Sequence, residues 1–416
     1  MTRSVTGQGG PYLHLAIDPR AGRPVRVLCV ALSACLALVV ATVGFVYYDF
    51  ATDLRANTLD ISSLGAPSIS QSSAEQALPD SFQGRAVNIL FVGIDSRYGQ
   101  NSNNYGDPDS IQGVRSDATI VMHLNADRTS LQAVSIPRDL MTDIPACARS
   151  DGTVSEPTFA QFNSAMTIGA NYADDVAGGI ACTKATVENL TGLVMDAFAV
   201  IDFSGFITMV NALGGVWLDL AEPVYDERAS LDLPSGCQLL DGNQALAISR
   251  ARYNLADGTD ISRIDRQHEV LAALLRQLED KIDASDIPAL LTFIKQSLAA
   301  VQVSENLADI NRDAGLLLSL KNLKQTGIHF LTMPWSLWSE DVNRVVPDEP
   351  RATELWKTLA ADQLYSPDSP DSSDPEAGES SQPNDSPSTS EVAEHQDAEP
   401  PQSPIVAEHE SCPPQQ

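Results

Sequence analysis

The fold is decided by one stretch, Val87-Asn88-Ile89-Leu90-Phe91-Val92-Gly93-Ile94-Asp95. Its first six residues are apolar except for Asn88, and a short apolar run that ends in a glycine is typical of a buried strand. A carboxylate at the carboxyl end of a strand in an open α/β sheet faces the usual ligand crevice. The stretch therefore predicts a central strand that carries Asp95 to a site.

The segments that follow alternate between strand and helix patterns. Ala118–Leu124 and Leu131–Ile136 are joined by turn residues and predict a β-hairpin, and the polar stretch Tyr98–Gly113 is interpreted as a mobile flap. The other predicted strands are Ala197–Phe203, Val216–Leu220 and His329–Met333. The predicted helices are Thr183–Leu190 capped by Thr183, Gly205–Leu213, one from Gly242 capped by Asp241, a long one from Arg263, two within Pro288–Asn322, and Pro350–Ala361. This order predicts an α/β fold with a mixed central sheet flanked by helices.

A second apolar run lies near the N-terminus. Residues 27–48 carry no charge and are long enough to span a bilayer, which takes about 20 residues. Arg20, Arg23 and Arg26 precede the run, so the positive-inside rule places the N-terminus in the cytoplasm. A cleaved signal peptide is the alternative, but the run is longer than a typical signal core and no clear cleavage site follows it. We predict one transmembrane helix and an extracytoplasmic domain at the cell membrane.

Charge and composition divide the chain further. The net charge of −29 argues against a protein that binds nucleic acid through a broad basic surface. Twelve acidic residues and no Lys or Arg lie from Ser366 onward, and this tail has no Phe, Trp or Leu, so it cannot bury enough surface to fold alone. The predicted segments are a cytoplasmic tail (1–26), the transmembrane helix (27–48), a stalk (49–84), a catalytic domain (85–280), a C-terminal helical extension (281–365) and a disordered acidic tail (366–416).

Four of the six cysteines lie outside the membrane run, where disulfides can persist. Cys147 and Cys182 are the preferred pair because both lie in loop-like sequence around the same predicted insertion. Cys237 is left with Cys412 or with no partner. No cysteine spacing resembles a zinc site.

Two aspartates lie at the mouths of neighbouring strands, since Asp95 ends the first strand and Asp117 begins the next. Each could simply cap a turn, and for either residue alone that explanation is the better one. Together with nearby arginines they fit Mg²⁺, or Mn²⁺ in its place. Mg²⁺ takes one or two protein carboxylates and fills its other positions with water and phosphate oxygens.

Arginines cluster in the same segments. Arg138 lies just past a strand end, and its planar guanidinium suits two-point contact with a phosphate. Arg263, Arg266 and Gln267 follow helical spacing and share one face near the start of the long helix, where free amides favour an anion. The alternative is a solvated helix start with ion pairs to nearby aspartates. Carboxylates and guanidiniums together indicate a metal-bound phosphate ester or pyrophosphate.

The apolar side of the long helix permits two interpretations. Val270 and Leu274 continue its Arg263/Gln267 face and, with apolar residues of the segment 203–210, could wall a channel for a greasy ligand. Hydrophobic core is the alternative, and the pattern alone favours it.

These segments resemble the LytR-CpsA-Psr family of cell-wall ligases, in its actinobacterial form, over roughly Val87–Leu278. Besides the charged motifs, the matching pieces are Phe162-Asn163-Ser164-Ala165, Thr186-Val187-Glu188-Asn189-Leu190-Thr191-Gly192, Ile201-Asp202-Phe203-Ser204-Gly205-Phe206, Ala212-Leu213-Gly214-Gly215-Val216 and Leu240-Asp241-Gly242-Asn243-Gln244-Ala245-Leu246. The resemblance implies a hydrophobic channel for a polyprenyl tail. It also implies an enzyme that moves a glycopolymer from polyprenyl pyrophosphate to peptidoglycan as a phosphodiester.

The resemblance also implies residue roles. Asp95 and Asp117 match the Mg²⁺ ligands, and with Arg138 they form the catalytic set. The pyrophosphate-binding set is Arg97, Arg115, Arg138, Arg250, Arg252, Arg263, Arg266 and Gln267, with Arg97 included for its nearness to Asp95. Two other activities stay open: a non-catalytic scaffold that binds lipid-linked glycans, and a phosphatase in which water replaces the sugar hydroxyl.

Overall fold

The computed structural model describes residues 48–65, 82, 84–95, 113–226, 231–251, 260–283, 287–308, 323, 327–367 and 412. The chain divides into two compact units, Met1–Thr52 and Asp53–Gln416. In the first unit, residues 48–52 are described and are helical. The architecture that follows is that of the second unit.

Several predicted segments lie outside the described residues. They are the cytoplasmic tail, the transmembrane segment apart from Tyr48, the flap apart from Gly113, and the acidic tail beyond Pro367 apart from Cys412. In the part of the chain that is described, no helix has both the length and the apolar character needed to cross a membrane.

Among the described residues, seven strands form a mixed sheet at the centre of the unit, in the spatial order β1-β12-β7-β2-β3-β4-β13. The strands are β1 (Thr58–Leu59), β2 (Val87–Asp95), β3 (Arg115–Leu124), β4 (Leu131–Ser135), β7 (Ala197–Asp202), β12 (Val301–Ser304) and β13 (Ile328–Thr332). β2 is the middle strand, parallel to β7 and antiparallel to β3. The apolar stretch that opens the domain therefore becomes the centre of the sheet.

In the same described part of the chain, four smaller antiparallel pairs accompany the sheet. They are β5 (Met141–Ile144) with β6 (Thr158–Gln161), β8 (Val216–Leu220) with β11 (Gly236–Leu240), β9 (Val224–Asp226) with β10 (Leu231–Leu233), and β14 (Trp335–Trp338) with β15 (Asp341–Pro347).

Helices cover both faces of the sheet. They are α1 (Ser164–Gly169), α2 (Val176–Thr191), α3 (Phe203–Ala212), α4 (Gly242–Arg250), α5 (Asp260–Asp283), α6 (Ile287–Ala300) and α7 (Arg351–Ala360). Leu90 and Val92 of β2 pack with α1, α2 and α7 in the largest core cluster. Phe91 points to the other face and packs with α5. Successive residues of a strand face opposite sides, so a strand covered on both faces is apolar at nearly every position.

The predicted α/β class with a mixed central sheet is confirmed. The predicted hairpin is β3–β4, whose strands pair in antiparallel register from Ile120 with Ser135 to Leu124 with Leu131. The predicted cap of α4 is also confirmed, because Asp241 and Gln244 form a reciprocal capping box.

The predicted helix at Thr183–Leu190 begins seven residues too late. α2 starts at Val176, and the carboxylate of Asp175 caps it by accepting a hydrogen bond from Gly178 N at 3.0 Å. Thr183 is buried within the helix and donates to the carbonyl of Gly179. The pattern misses this start because consecutive glycines have low helix propensity, and tertiary packing outweighs that propensity here.

The predicted C-terminal helical extension, 281–365, also needs correction. Its described residues contain α6 and α7 but also four strands, of which β12 and β13 belong to the central sheet. Within the predicted helical pair at Pro288–Asn322, residues 301–304 form a strand because they find an antiparallel partner in β7. Residues 309–322 lie outside the described part. A four-residue strand is defined by its partner more than by its own pattern.

Two disulfides are present in the described residues. Cys147–Cys182 confirms the preferred pair, and it joins the loop after β5 to α2. Cys237 of β11 pairs with Cys412, which resolves the alternative that the sequence left open.

The contact between α1 and α2 gives a test of the packing. A Cβ on Gly169 would lie 2.2 Å from the carbonyl oxygen of Gly178, a backbone atom that cannot swing away. We expect Gly169→Ala to lower the free energy of unfolding by about 1–3 kcal/mol or more, as overpacking does. Urea unfolding measures this. Gly93→Ala is the matched control, since its added Cβ meets its nearest atom, Ala118 Cβ, at an ordinary 3.4 Å. Equal stability of the two variants would contradict the close approach of the helices.

Candidate active site

Strand β2 carries Asp95 to the edge of the sheet. In the β2–β3 ladder Asp95 lies opposite Arg115, so a carboxylate and an exposed guanidinium stand side by side at the strand ends. By strand alternation Asp95 shares a face with Phe91 and Gly93. Both of these residues line an apolar cavity under the sheet.

A β-bulge brings Asp117 to the same place. Gly93 pairs with Ala118 while Ile94 pairs with Ser116, which leaves Asp117 as the extra residue of β3. Asp117 and Ala118 both line the cavity, although consecutive residues of a regular strand face opposite sides. Bulges commonly re-aim a side chain in this way. The two predicted carboxylates therefore share one face of the sheet.

Arg138 contacts Asp117 directly. Its Nη1 donates to Asp117 Oδ1 at 3.0 Å, and both side chains are partly exposed, by 18% and 23%. Arg138 Nε lies 3.6 Å from Asp139 Oδ2, and Arg344 of β15 reaches the other oxygen of Asp139 at 3.6 Å. Arg138 is thus hydrogen-bonded to one carboxylate and lies within ion-pair distance of a second.

Arg263 of α5 contacts the backbone of the bulge. It is only 4% exposed, and its Nη2 donates to the backbone carbonyl of Asp117 at 3.2 Å. The alternative of a solvated helix start is therefore wrong for this residue. A buried guanidinium beside the mouth adds positive charge where an anion would lie.

The other two predicted phosphate-binding residues of the long helix, Arg266 and Gln267, hold α5 to α4. Arg266 Nη2 donates to the carbonyl of Ala251 at 2.6 Å, and Gln267 Nε2 donates to that of Ser249 at 3.3 Å. These carbonyls belong to the last turn of α4, where intrahelical donors are lacking. Arg250, the last residue of α4, lies over the ring of Phe203 at 4.2 Å, a cation–π distance.

The cavity combines an apolar body with a polar mouth. Its body lies between the sheet, α3 and α5, and Asp117, Arg250 and Gln267 line its mouth. Its volume is about 90 Å³. Since a water molecule takes about 30 Å³ in the liquid, a long lipid tail would need its walls to separate.

The apolar face lines a cavity in part and packs as hydrophobic core in part. Phe203, Phe206 and Val270 line the cavity. Val210, Val270 and Leu274 belong to a core cluster. The channel for a greasy ligand stays a prediction. Ile207 is half-buried and belongs to neither set.

The two carboxylates fit a divalent cation that also binds phosphate. Among the residues with described positions, no group of three or more His, Cys, Asp or Glu side chains could hold a metal ion. Mg²⁺ needs only one or two protein carboxylates when substrate oxygens complete its shell. Asp95 and Asp117 are the side chains that could supply them.

The predicted site residues and those that the structure places at the site are not the same set. Of the predicted residues, Arg97 and Arg252 lie outside the described part of the chain. Asp139 and Arg344 were not predicted, nor was Asp202, which ends β7 and lines the cavity. Asp202 follows an apolar strand as Asp95 does, so the same signal could have found it. No sequence signal links Arg344 to Arg138, because they lie on distant segments.

His268 is a structural residue beside the basic cluster. It is 1% exposed, its Nε2 lies 2.7 Å from Ser135 Oγ, and its ring packs on Phe330 at 5.4 Å. Burial lowers the pKa of His268 to about 4, because a charged ring would lose its hydration. The ring is therefore neutral at pH 7.

This burial predicts a pH dependence of stability. The ordinary pKa is 6.5, so between pH 6.5 and about 4 the unfolded chain binds a proton that the folded chain does not. The contribution of the neutral His268 ring to the free energy of unfolding is complete above pH 6.5. It is lost as the pH falls towards 4, at up to about 1.4 kcal/mol per pH unit. We expect His268→Phe to show a shallower decline in unfolding free energy over this range. Urea unfolding at several pH values tests this, and parallel slopes for the two proteins would contradict it.

The fold and the site define a class: an α/β domain in which carboxylates and guanidiniums surround the mouth of an apolar cavity. The LytR_cpsA_psr family model matches residues 61–361, most of the chain. The protein belongs to the LytR-CpsA-Psr family, which confirms the resemblance drawn from the sequence.

Individual proteins similar to this chain are consistent with its family. The chain is 35% identical over 193 residues to the probable cell wall biosynthesis protein LcpB of Corynebacterium glutamicum, covering 45% of this chain and 41% of that protein. It is 27% identical over 210 residues to the polyisoprenyl-teichoic acid–peptidoglycan teichoic acid transferase TagU of Enterococcus faecalis, covering 50% and 59%. The matches thus span about half the length of these relatives. The crystal structure of protein gbs0355 from Streptococcus agalactiae matches with a TM-score of 0.51 at 19% identity, over 68% of this chain and 89% of that one, which supports the fold.

Proposed function

We propose that this protein is a membrane-anchored phosphotransferase that moves a glycopolymer from a polyprenyl-pyrophosphate carrier to peptidoglycan. The observation that carries the proposal is the contact of Asp117 with Arg138 and Arg263 at the mouth of the apolar cavity. Such a mouth suits a pyrophosphate attached to a lipid, because guanidiniums for the phosphates and an apolar cavity for the lipid lie next to each other. Family membership and the teichoic acid transferase activity for which the Enterococcus relative is named support the same reaction.

In the proposed reaction, a sugar hydroxyl of peptidoglycan attacks the phosphorus that bears the glycopolymer. The new oxygen–phosphorus bond forms as the bond to the bridging oxygen breaks, and polyprenyl phosphate leaves with the electron pair. Asp95 is the candidate acceptor of the hydroxyl proton. Phosphoryl-type transfer depends mostly on positioning and charge stabilisation, and the arginine set would supply both.

The arginines have different roles in the proposed reaction. Arg138, which is hydrogen-bonded to Asp117 and lies 3.6 Å from Asp139, would bring a planar guanidinium to a phosphate. Arg115, Arg250 and Arg263 would add positive charge around the mouth, with Arg97 and Arg252 as further members of the set. Mg²⁺ or Mn²⁺ held by Asp95 and Asp117 would neutralise pyrophosphate charge.

The proposed location is the outer side of the cell membrane. Two disulfides support an oxidising compartment. The uncharged run at residues 27–48, with arginines before it, supports a single-pass anchor with a cytoplasmic N-terminus.

The test incubates the full chain, in detergent, with a short prenyl pyrophosphate that carries a saccharide, and with peptidoglycan oligosaccharides. We expect release of prenyl phosphate together with a saccharide–peptidoglycan product, and loss of both on chelation of divalent cations. Release that needs no acceptor would favour the phosphatase, and binding without any release would favour the scaffold. Cation-independent transfer would contradict the metal assignment alone.

A further inference from the structure

A second cleft lies beside the apolar cavity, at the carboxyl ends of β2 and β7. The start of α3, the end of α6 and strand β12 form its walls, and its volume is about 350 Å³. It is therefore larger than the apolar cavity, and it opens at the same strand ends.

The two cavities lie on opposite faces of the sheet. Ile94 and Val200 line the second cleft, whereas Gly93 and Ile201 line the apolar cavity. Asp202 lines both. Asp202 is therefore a residue that the two cavities share at the strand ends, and it follows Ile201, the residue of β7 that pairs with Gly93.

The lining of the second cleft is polar but almost uncharged. Its polar residues are Asn57, Ser204, Thr208, Gln296 and Gln302, with Asp202 as the sole charged residue among the described lining residues. A cleft without a described cation is a poor site for pyrophosphate. Amides and hydroxyls both donate and accept hydrogen bonds, as uncharged sugars require.

Asp202 is held in a fixed orientation. Its Oδ1 accepts a hydrogen bond from Gly205 N at 2.7 Å and caps α3. A carboxylate oxygen can accept more than one hydrogen bond. Asp202 can therefore cap the helix and also receive a sugar hydroxyl at the boundary between the two cavities.

We propose that this cleft binds the acceptor: an uncharged stretch of an N-acetylated glycan strand whose free hydroxyl passes Asp202 towards the phosphate-binding mouth. The proposal rests on the proposed transferase function and adds the acceptor site to it. Donor and acceptor then approach the strand ends from opposite faces of the sheet, which keeps the lipid tail and the polar glycan apart.

The test measures binding of an uncharged tetrasaccharide of N-acetylglucosamine to the full chain by calorimetry. Gln296→Ala/Gln302→Ala removes two exposed amides of the cleft that have no part in the proposed phosphate chemistry. We expect its Kd to rise at least tenfold. Gln363→Ala, an exposed amide that does not line the cleft, is the matched control and should bind as the wild type does. Thr208→Trp, which fills the cleft from exposed α3 surface, should also abolish binding.

Unchanged affinity in both cleft variants, or no binding by the wild type, would overturn the acceptor site. Prenyl phosphate release is measured in the same preparations and tests the transferase separately. Normal release with unaltered tetrasaccharide affinity in the variants rejects the cleft alone. Absence of release by the wild type, with cleft-dependent binding, rejects the transferase and leaves a glycan-binding site.

Discussion

Replacing Asp117 by asparagine is expected to reduce prenyl phosphate release by roughly 100-fold or more, the scale seen when one group that stabilises transition-state charge is lost. The substitution keeps the shape of the side chain but removes the charge that meets Arg138 at 3.0 Å. It also removes one of the two proposed cation ligands. Initial rates at saturating donor and several Mg²⁺ concentrations measure the effect.

The fold should survive this substitution. Asp117 is 23% exposed and its ion pair is partly solvated, so the pair contributes about 0.2–1 kcal/mol at most. Asp143→Asn on β5 is the matched control, because this aspartate is exposed and does not line the cavity. Turnover of Asp117→Asn within a few-fold of the control would reject the assignment of Asp117.

Arg138→Lys is expected to give a loss of similar size although the positive charge remains. Arg138 approaches Asp117 through Nη1 and Asp139 through Nε at the same time. A lysine ammonium is a single point charge on a flexible stem and cannot reproduce that planar fork. The expected result is a large fall in kcat with little change in thermal stability.

Arg85→Lys is the matched control for this variant. Arg85 also pairs with an aspartate, Asp196, at 2.6 Å, but it precedes the opposite end of β2. Nine strand residues at about 3.3 Å each place it roughly 30 Å from the site. If Arg138→Lys works as well as Arg85→Lys, charge alone suffices and the fork geometry is not required.

The sequence determined the centre of the molecule. The run from Val87 to Val92 is apolar at nearly every position, so it had to be covered on both faces, and its end carried Asp95 to a strand mouth. The turn residues 125–128 set the β3–β4 hairpin, and Asp241 with Gln244 marked the start of α4. These features depend on residues that are close together in the sequence, so the sequence pattern is enough to predict them.

The tertiary structure alone decided how the site is assembled. The bulge that turns Asp117 towards the cavity is a mismatch between two strands, and neither strand shows it by itself. Arg344 reaches Asp139 from a hairpin far along the chain, and β12 is a strand because β7 offers it a partner. Asp202 stands between two cavities because the sheet separates them. Each of these features depends on residues that are far apart in the sequence and come into contact only after folding. The sequence pattern gives no information on the distances between such residues.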